Sequence, residues 1–174
     1  MMKKVILLTG IHGVGKGYIS NRIKEIIDIP VYEASKLIKQ TGNDSDENKK
    51  VANIPNNQEL LKYAIENYVK EDLFILDGHT CLLDKERKIQ VINQESLTKL
   101  NVIGVIYIYD DTEVIKERLY KRDGTEYDDK LLYDFQSAEC ENSEKLAKKL
   151  NVRFIKYKNS DNINPIINYL KDFN

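Results

Sequence analysis

Residues 10–16 read Gly-Ile-His-Gly-Val-Gly-Lys and follow the short apolar run KKVILLT at 3–9. An apolar run of this length predicts a strand that is buried on both faces, as in a parallel sheet. The glycines allow a tight turn whose backbone N–H groups point inward, and isoleucines at helical spacing over 15–28 predict a helix directly after it. A helix N-terminus carries partial positive charge, and Lys16 adds a full one. The pattern G-x-x-x-x-G-K between a strand and a helix therefore indicates a loop that binds nucleotide phosphates.

Position 17 departs from this pattern, because Gly17 stands where Ser or Thr normally places a hydroxyl on Mg²⁺. Ser20 lies about one helical turn further along and is not expected to reach the metal. Water can fill the missing ligand position, or the protein can bind a nucleotide and turn it over poorly. The residues expected to contact the nucleotide are Gly10, His12, Gly13, Val14, Gly15, Lys16, Gly17 and Tyr18.

An acidic residue is expected beside the loop, as the second part of the site. Residues 73–76 (LFIL) predict another buried strand, and Asp77 follows at its carboxyl end. A carboxylate in that position can hold Mg²⁺ through water next to the bound phosphates. We therefore predict ATP and Mg²⁺ as cofactors, with Asp77 as the metal residue.

Strands and helices alternate along the whole chain, which predicts a three-layer α/β fold with a parallel sheet. The first helix is expected to bury Ile19, Ile23, Ile26 and Ile27, and Asn56 or Asn57 is expected to cap the helix over 57–70. A polar stretch at 42–53 predicts a loop that moves, and 82–92 predicts two extended pieces around a charged turn, or a helix. The remaining predictions are strands at 30–33, 102–109 and 152–157 and helices at 35–40, 96–100, 112–122, 128–150 and 162–173.

Length, composition and charge narrow the class of protein. The 174 residues with 41% hydrophobic content suit one domain, and 27 basic against 28 acidic residues give no reason to expect general nucleic-acid affinity. Cys81 and Cys140 lack the spacing of a zinc site or a disulfide framework. No apolar run approaches the ~20 residues of a membrane span. We expect a soluble, cytoplasmic protein without membrane partners, and composition leaves its oligomeric state open.

Several motifs together resemble the small P-loop nucleoside monophosphate kinases, in particular adenylate-kinase-like proteins with short lids. These motifs are the loop at 10–17, LDGH at 76–79 and RLYKR at 118–122. The segment DGHTCLLDKER at 77–87 is similar to the D-x-H segment of atypical adenylate kinases linked to ribosome assembly. FQSAECE at 135–141 falls where those ATP-binding, kinase-like proteins carry a glutamine and an acidic stretch.

The resemblance implies a P-loop NTPase fold with a five-stranded parallel sheet in the order 2-3-1-4-5. It implies one domain over 1–174, with an acceptor-side insertion at about 34–70 and a short lid at about 118–130. It also implies transfer of a phosphoryl group from Mg-ATP. The catalytic roles fall on Lys16, Asp77, Arg118 and Arg122, and the two arginines share a helix face that suits a phosphate clamp.

The acceptor side matches the family less closely. Lys39 stands where adenylate kinases place an arginine, and lysine cannot make the bidentate contact. His79-Thr80-Cys81 replaces the Phe-Pro-Arg that follows D-G in full-size kinases. His79, Gln58 and Arg87 are further candidates for acceptor contacts.

The favoured function is phosphoryl transfer from ATP to a small acceptor, with a nucleoside monophosphate as the leading candidate. A slow ATPase that acts as a switch or assembly factor is the main alternative, since Gly17 and the missing arginine favour it. A polynucleotide 5′-hydroxyl kinase fits less well, because the chain lacks a basic stripe. The partners expected in the favoured case are small nucleotides.

Overall fold

A parallel sheet organises the part of the chain that the computed structural model describes, residues 2–43 and 54–174. The strands are β1 (Lys4–Thr9), β2 (Val31–Glu33), β3 (Leu73–Asp77), β4 (Cys81–Leu83), β5 (Ile89–Val91), β6 (Val102–Tyr109) and β7 (Arg153–Lys158). The helices are α1 (Lys16–Ile26), α2 (Ala34–Asn43), α3 (Ile54–Tyr68), α4 (Gln94–Thr98), α5 (Thr112–Asp123), α6 (Asp129–Leu150) and α7 (Asn164–Lys171).

The large sheet has the strand order β2-β3-β1-β6-β7, and each neighbouring pair in it is parallel. Strands β4 and β5 form a separate antiparallel hairpin. Counted within the large sheet alone, the order is 2-3-1-4-5, so the predicted fold class is confirmed. Leu8 of β1 lies opposite Asp77 of β3. This register brings the loop at 10–17 and the predicted metal carboxylate to the same edge of the sheet.

Alternating side chains of β1 divide the core into two layers. Ile6 and Leu8 belong to a cluster with residues from α1, α5, α7 and the first half of α6. Val5 and Leu7 belong to a second cluster with α2, α3 and the second half of α6. Because both faces of the strand are buried, its sequence is continuously apolar rather than alternating.

The structure corrects several details of the sequence prediction. The side chain of Ile26 is 54% exposed, because α1 ends there and the chain becomes extended at Ile27, which takes the inward position. Helix α3 already begins at Ile54, so Asn56 and Asn57 lie inside it and do not cap it. The segment 82–92 contributes to the β4–β5 hairpin, as one of the two alternatives predicted.

Two predicted segments have a different extent in the structure. Residues 42 and 43 belong to α2, and the rest of the predicted mobile loop, 44–53, lies outside the described residues. In the predicted lid, 118–123 and 129–130 are helical, and only 124–128 is irregular. None of the helices within 2–43 and 54–174 has the length and apolarity needed to span a bilayer.

Replacement of Gly104 by alanine is expected to lower the free energy of unfolding by about 1–3 kcal/mol, because it overpacks the core. A Cβ at this central β6 position would clash with the Tyr169 hydroxyl and lie 3.1 Å from the Phe173 ring. The hydroxyl cannot move away without loss, since it donates a hydrogen bond to the carbonyl of Arg153. Denaturant titration would measure the effect.

Gly17→Ala is the matched control, because nothing lies within 4 Å of a Cβ at that helical position. It should raise the free energy of unfolding by about 0.5–1 kcal/mol, since alanine is the better helix former. Equal stability of Gly104→Ala and the wild type would contradict the packing account.

Candidate nucleotide-binding site

The loop between β1 and α1 contains three glycines with positive φ, and two of them, Gly13 and Gly15, form its tight turn. Gly13 has φ 85° and Gly15 has φ 95°, a region that other residues rarely adopt. A Cβ at Gly13 would lie 2.8 Å from the Leu119 side chain, and one at Gly15 would collide with the Asn159 amide. Helix α1 begins directly after this turn, so the N–H groups of its first turn have no partner within the helix. The loop therefore forms the concave backbone surface that phosphates require.

Two side chains fix the outer side of the loop. The Nη1 of Arg118 donates to the carbonyls of Val14 at 3.0 Å and Gly13 at 3.3 Å, and it pairs with the Oδ2 of Asp110 at 2.9 Å. The Nδ2 of Asn159 also donates to the Val14 carbonyl, at 2.9 Å. Because side chains hold these carbonyls, the shape of the loop is set before any ligand arrives.

Lys16 points across the sheet edge to the end of β3. Its Nζ lies 2.7 Å from the Oδ1 of Asp77 and 2.9 Å from the carbonyl of Gly78. Both partners of the ion pair are largely withdrawn from water, with exposures of 8% for Lys16 and 14% for Asp77. The ammonium group of Lys16 and the carboxylate of Asp77 thus lie side by side at the mouth of the loop.

His79 is neutral in this position. Its Nδ1 lies 2.9 Å from the carbonyl of Gly10, so this nitrogen carries the hydrogen and donates it. Burial, followed by the charges of Lys16 and His12, lowers the pKa of His79 to about 2. The ring of His12 lies 4.4 Å away, and burial together with Lys16 and Arg122 also lowers the pKa of His12.

Glu139 of α6 is a site residue that sequence reasoning did not identify. Its fully buried carboxylate accepts from the N–H groups of Gly10 at 3.3 Å, Thr80 at 3.0 Å and Cys81 at 2.8 Å. Burial raises the pKa of Glu139, and the hydrogen bonds from Thr80 oppose this effect. The sequence signal that could have identified it is its spacing of four residues from both Phe135 and Ser143, which face inward on the same helix.

Helix α6 also holds the ends of two further strands. The Gln136 amide makes two hydrogen bonds to the backbone of Asp110, at 3.1 Å and 2.9 Å. The hydroxyls of Ser143 and Thr9 lie 2.7 Å apart. One helix thereby fixes the ends of β1 and β6 and, through Glu139, the segment after β3.

A cavity of about 710 Å³ opens at the mouth of the loop. Beyond the loop it is lined by residues of α2, α3, α4 and the region of the hairpin. The aliphatic side chains there are Ala34, Ile38, Leu61, Leu82, Ile92 and Leu97, and the polar ones are Glu33, Ser35, Lys39, Asn57 and Gln58. This size lies within the range of sites that hold small molecules.

Most of the predicted site residues line this one cavity. They are His12, Gly13, Gly15, Lys16, Gly17, Lys39, Gln58, Asp77, His79, Arg118 and Arg122. Three predicted nucleotide contacts lie elsewhere. Gly10 binds Glu139 and His79 through its backbone, the Val14 side chain is buried in the core, and Tyr18 is 53% exposed beside Arg22.

Arg87 lies in a neighbouring cavity of about 320 Å³ between the hairpin and the 124–128 connection. Its Nη1 donates to the carbonyl of Glu126 at 3.0 Å, and its guanidinium lies 4.8 Å from the centre of the Tyr127 ring. His12 and Arg122 line both cavities. Arg87 thus contacts the predicted lid rather than the aliphatic acceptor end.

The residues present fit only part of a magnesium site. Within 2–43 and 54–174, no three His, Cys, Asp or Glu side chains form a group that could hold a metal ion. Gly17 brings no hydroxyl, and the Ser20 hydroxyl is buried without a hydrogen-bond partner in the described residues. The donor set suits a water-mediated contact with Asp77 and does not suit direct ligation by the loop.

Comparisons with known proteins relate the chain to one family. A family model described as an AAA domain matches residues 9–134, which is more than half of the chain. No curated protein matches the sequence. Among solved structures, an uncharacterized protein from Eubacterium ventriosum ATCC 27560 superposes with a TM-score of 0.49 at 15% identity, covering 99% of this chain and 98% of that one. A gluconokinase from Sinorhizobium meliloti 1021 gives 0.47 at 15% identity, covering 95% and 87%. Similarity at this level carries no information on the substrate.

The free energy of unfolding should decrease as the pH falls below about 6.5, the ordinary pKa of histidine. His79 has a pKa of about 2 in the folded protein, so the unfolded state binds the extra proton and gains stability in acid. This contribution should amount to as much as about 1.4 kcal/mol for each pH unit. Denaturant titrations between pH 7.5 and 5 would measure it.

His79→Asn is the comparison variant, because its amide can still donate to the Gly10 carbonyl but does not titrate. Its pH dependence should be shallower than that of the wild type over the same range. If the free energy of unfolding fell with the same slope against pH in both proteins, a buried, neutral His79 would be contradicted.

Proposed function

The chain belongs to the AAA domain family, and on that premise we propose that it is a P-loop phosphotransferase that moves the γ-phosphoryl group of ATP to a nucleoside monophosphate. The observation that carries the proposal is the position of Lys16. Its Nζ lies 2.7 Å from the Oδ1 of Asp77 at the mouth of a loop whose backbone can bind phosphates. The cavity of about 710 Å³ at this mouth continues into a space lined mainly by aliphatic side chains.

The donor side is built for the triphosphate. The N–H groups around Gly13 and Gly15 and the first turn of α1 bind phosphate oxygens, and Lys16 neutralises the β and γ groups. Arg118 and Asn159 keep this surface rigid through their hydrogen bonds to the Val14 carbonyl. Asp77 would hold Mg²⁺ through water, and the bound ion would supply charge neutralisation.

Arg122 closes the transfer site. Its side chain is 56% exposed, and its salt bridge with Asp123 is long, at 3.5 Å. Arg118, in contrast, is tied to Asp110 and the loop carbonyls. Arg122 can therefore turn onto the transferring group, stabilise its charge and exclude water. The bond from phosphorus to ADP breaks as an acceptor phosphate oxygen bonds to the same phosphorus, which yields ADP and a nucleoside diphosphate.

The acceptor end favours a flat base over a polyhydroxylated acceptor. Most of its walls are aliphatic side chains, and the polar groups among them are few, including Glu33, Ser35 and the amides of Asn57 and Gln58. A planar base gains from apolar walls, whereas a sugar with many hydroxyls needs hydrogen-bonding partners for each of them. Lys39 is exposed at the rim of the cavity and supplies positive charge for the acceptor phosphate.

A slow ATPase with a switching or assembly role is the second candidate. Two observations favour it, namely the missing hydroxyl at Gly17 and the absence of an arginine in the segment 78–81 after β3. In this case ATP would be hydrolysed without an acceptor, and the aliphatic space would serve another purpose.

A coupled assay should show ADP release that depends on a nucleoside monophosphate. ATP would be supplied with AMP, CMP, GMP or UMP, or with no acceptor, and the products would be separated by chromatography. The proposal expects one nucleoside diphosphate to form in step with ADP. Release at the same rate without an acceptor would instead favour the ATPase. Lys16→Ala should abolish activity in either case, since the loop loses its full positive charge.

Arg122→Ala should lower kcat at least about tenfold with a smaller effect on KM for ATP, because the side chain acts on the charge that develops during transfer. Lys121→Ala is the matched control, since Lys121 pairs with Glu117 on the outer side of the same helix and does not line the cavity. Steady-state rates for both variants would settle the comparison. Equal losses in the two variants would argue against a catalytic role for Arg122.

A further inference from the structure

Gly17 occupies a position where a side chain would fit without strain. It is the second residue of α1, it is exposed, and nothing lies within 4 Å of a Cβ built on it. Its φ angle is not in the positive range that Gly13 and Gly15 adopt. Neither packing nor backbone geometry therefore requires glycine here, in contrast to the two loop glycines.

The next hydroxyl along α1 does not replace the one that is missing at position 17. Ser20 lies one turn further along α1 at 6% exposure, and it does not line the cavity. Asp77 is the carboxylate closest to the loop lysine, and its Oδ1 is already paired with the Nζ of Lys16 at 2.7 Å. To contact a metal, even through water, Asp77 must share its charge between that metal and Lys16.

We propose that this site binds ATP through Lys16 and the loop backbone with an affinity that is nearly independent of Mg²⁺, and that Gly17 is the residue responsible. The inference rests on the ATP site of the proposed function. It follows from the thermodynamic linkage between the two ligands. Mg²⁺ raises the affinity of the protein for ATP only to the extent that the protein itself helps to bind Mg²⁺ in the complex.

The balance of charges at the loop supports the same conclusion. Lys16 can bind phosphate oxygens directly, whereas the two carboxylates among the described residues that line the cavity, Asp77 and Glu33, are already paired with Lys16 and Lys36. From the described residues, Mg²⁺ would therefore gain only a water-mediated contact with a paired carboxylate. A hydroxyl at position 17 would add direct ligation from the helix N-terminus. In the described part of the chain, phosphate binding is thus retained, whereas direct metal ligation by the loop is lost.

The experiment compares three proteins, the wild type, Gly17→Ser and Gly17→Ala. Calorimetric titration with ATP, and with an analogue whose β–γ bridge is nitrogen, would be done in MgCl₂ and in EDTA. The alanine variant is the matched control, because it adds the same Cβ and the same helix stabilisation without a hydroxyl. Thermal melts confirm that all three are folded.

In the wild type and in Gly17→Ala, Mg²⁺ should change the dissociation constant by less than about threefold, a coupling below the usual range for linked sites. In Gly17→Ser, Mg²⁺ should tighten binding by about tenfold, the effect of one additional favourable ligand contact. The gain should disappear in EDTA.

Two results would overturn the inference. One is a wild-type affinity that Mg²⁺ raises tenfold or more, and the other is a serine variant that behaves like the alanine variant. Either result leaves the proposed kinase activity standing, because ATP still binds. Absence of ATP binding in all three proteins would remove both the inference and the proposed function.

Discussion

The ion pair between Lys16 and Asp77 is the interaction on which the site depends. It joins the loop after β1 to the end of β3 across 2.7 Å, in a place where both side chains are mostly shielded from water. A pair with so little exposure is sensitive to geometry, since loss of either partner leaves a poorly solvated charge. The parallel register that sets Leu8 opposite Asp77 therefore has a direct chemical consequence.

Helix α6 supplies the constraint that keeps these strand ends together. The Glu139 carboxylate binds the loop at Gly10 and the segment after β3 at Thr80 and Cys81. Its burial is costly, and the three backbone N–H groups offset that cost by solvating the charge. A buried carboxylate that is held by backbone donors fixes the relative positions of two chain segments more firmly than apolar packing would, because hydrogen bonds are directional.

The sequence was sufficient to predict the fold and the glycine-rich loop with Lys16, because both produce local sequence patterns. The run before Gly10, the glycine spacing and Lys16 lie in one continuous stretch, and the strand order followed from the family that they resemble. Glu139 was missed because its partners are about 60 and 130 residues away in the chain, and only the fold brings them together. Arg87 was predicted to contact the acceptor, because the sequence does not show that its partner Tyr127, 40 residues further along the chain, lies next to it.

Arg118 and Arg122 of α5 differ in how strongly their charges are already paired within the protein. Arg118 is 40% exposed but is already bound to Asp110 and two loop carbonyls, so its charge mainly stabilises the protein. Arg122, one turn later, faces both cavities with only a long contact to Asp123. A spacing of four residues predicts that both lie on one face, but it cannot predict which of them is already neutralised. Arg122, which has the weaker contacts, retains its charge for an incoming phosphoryl group, and this supports the proposal that it acts in the transfer step.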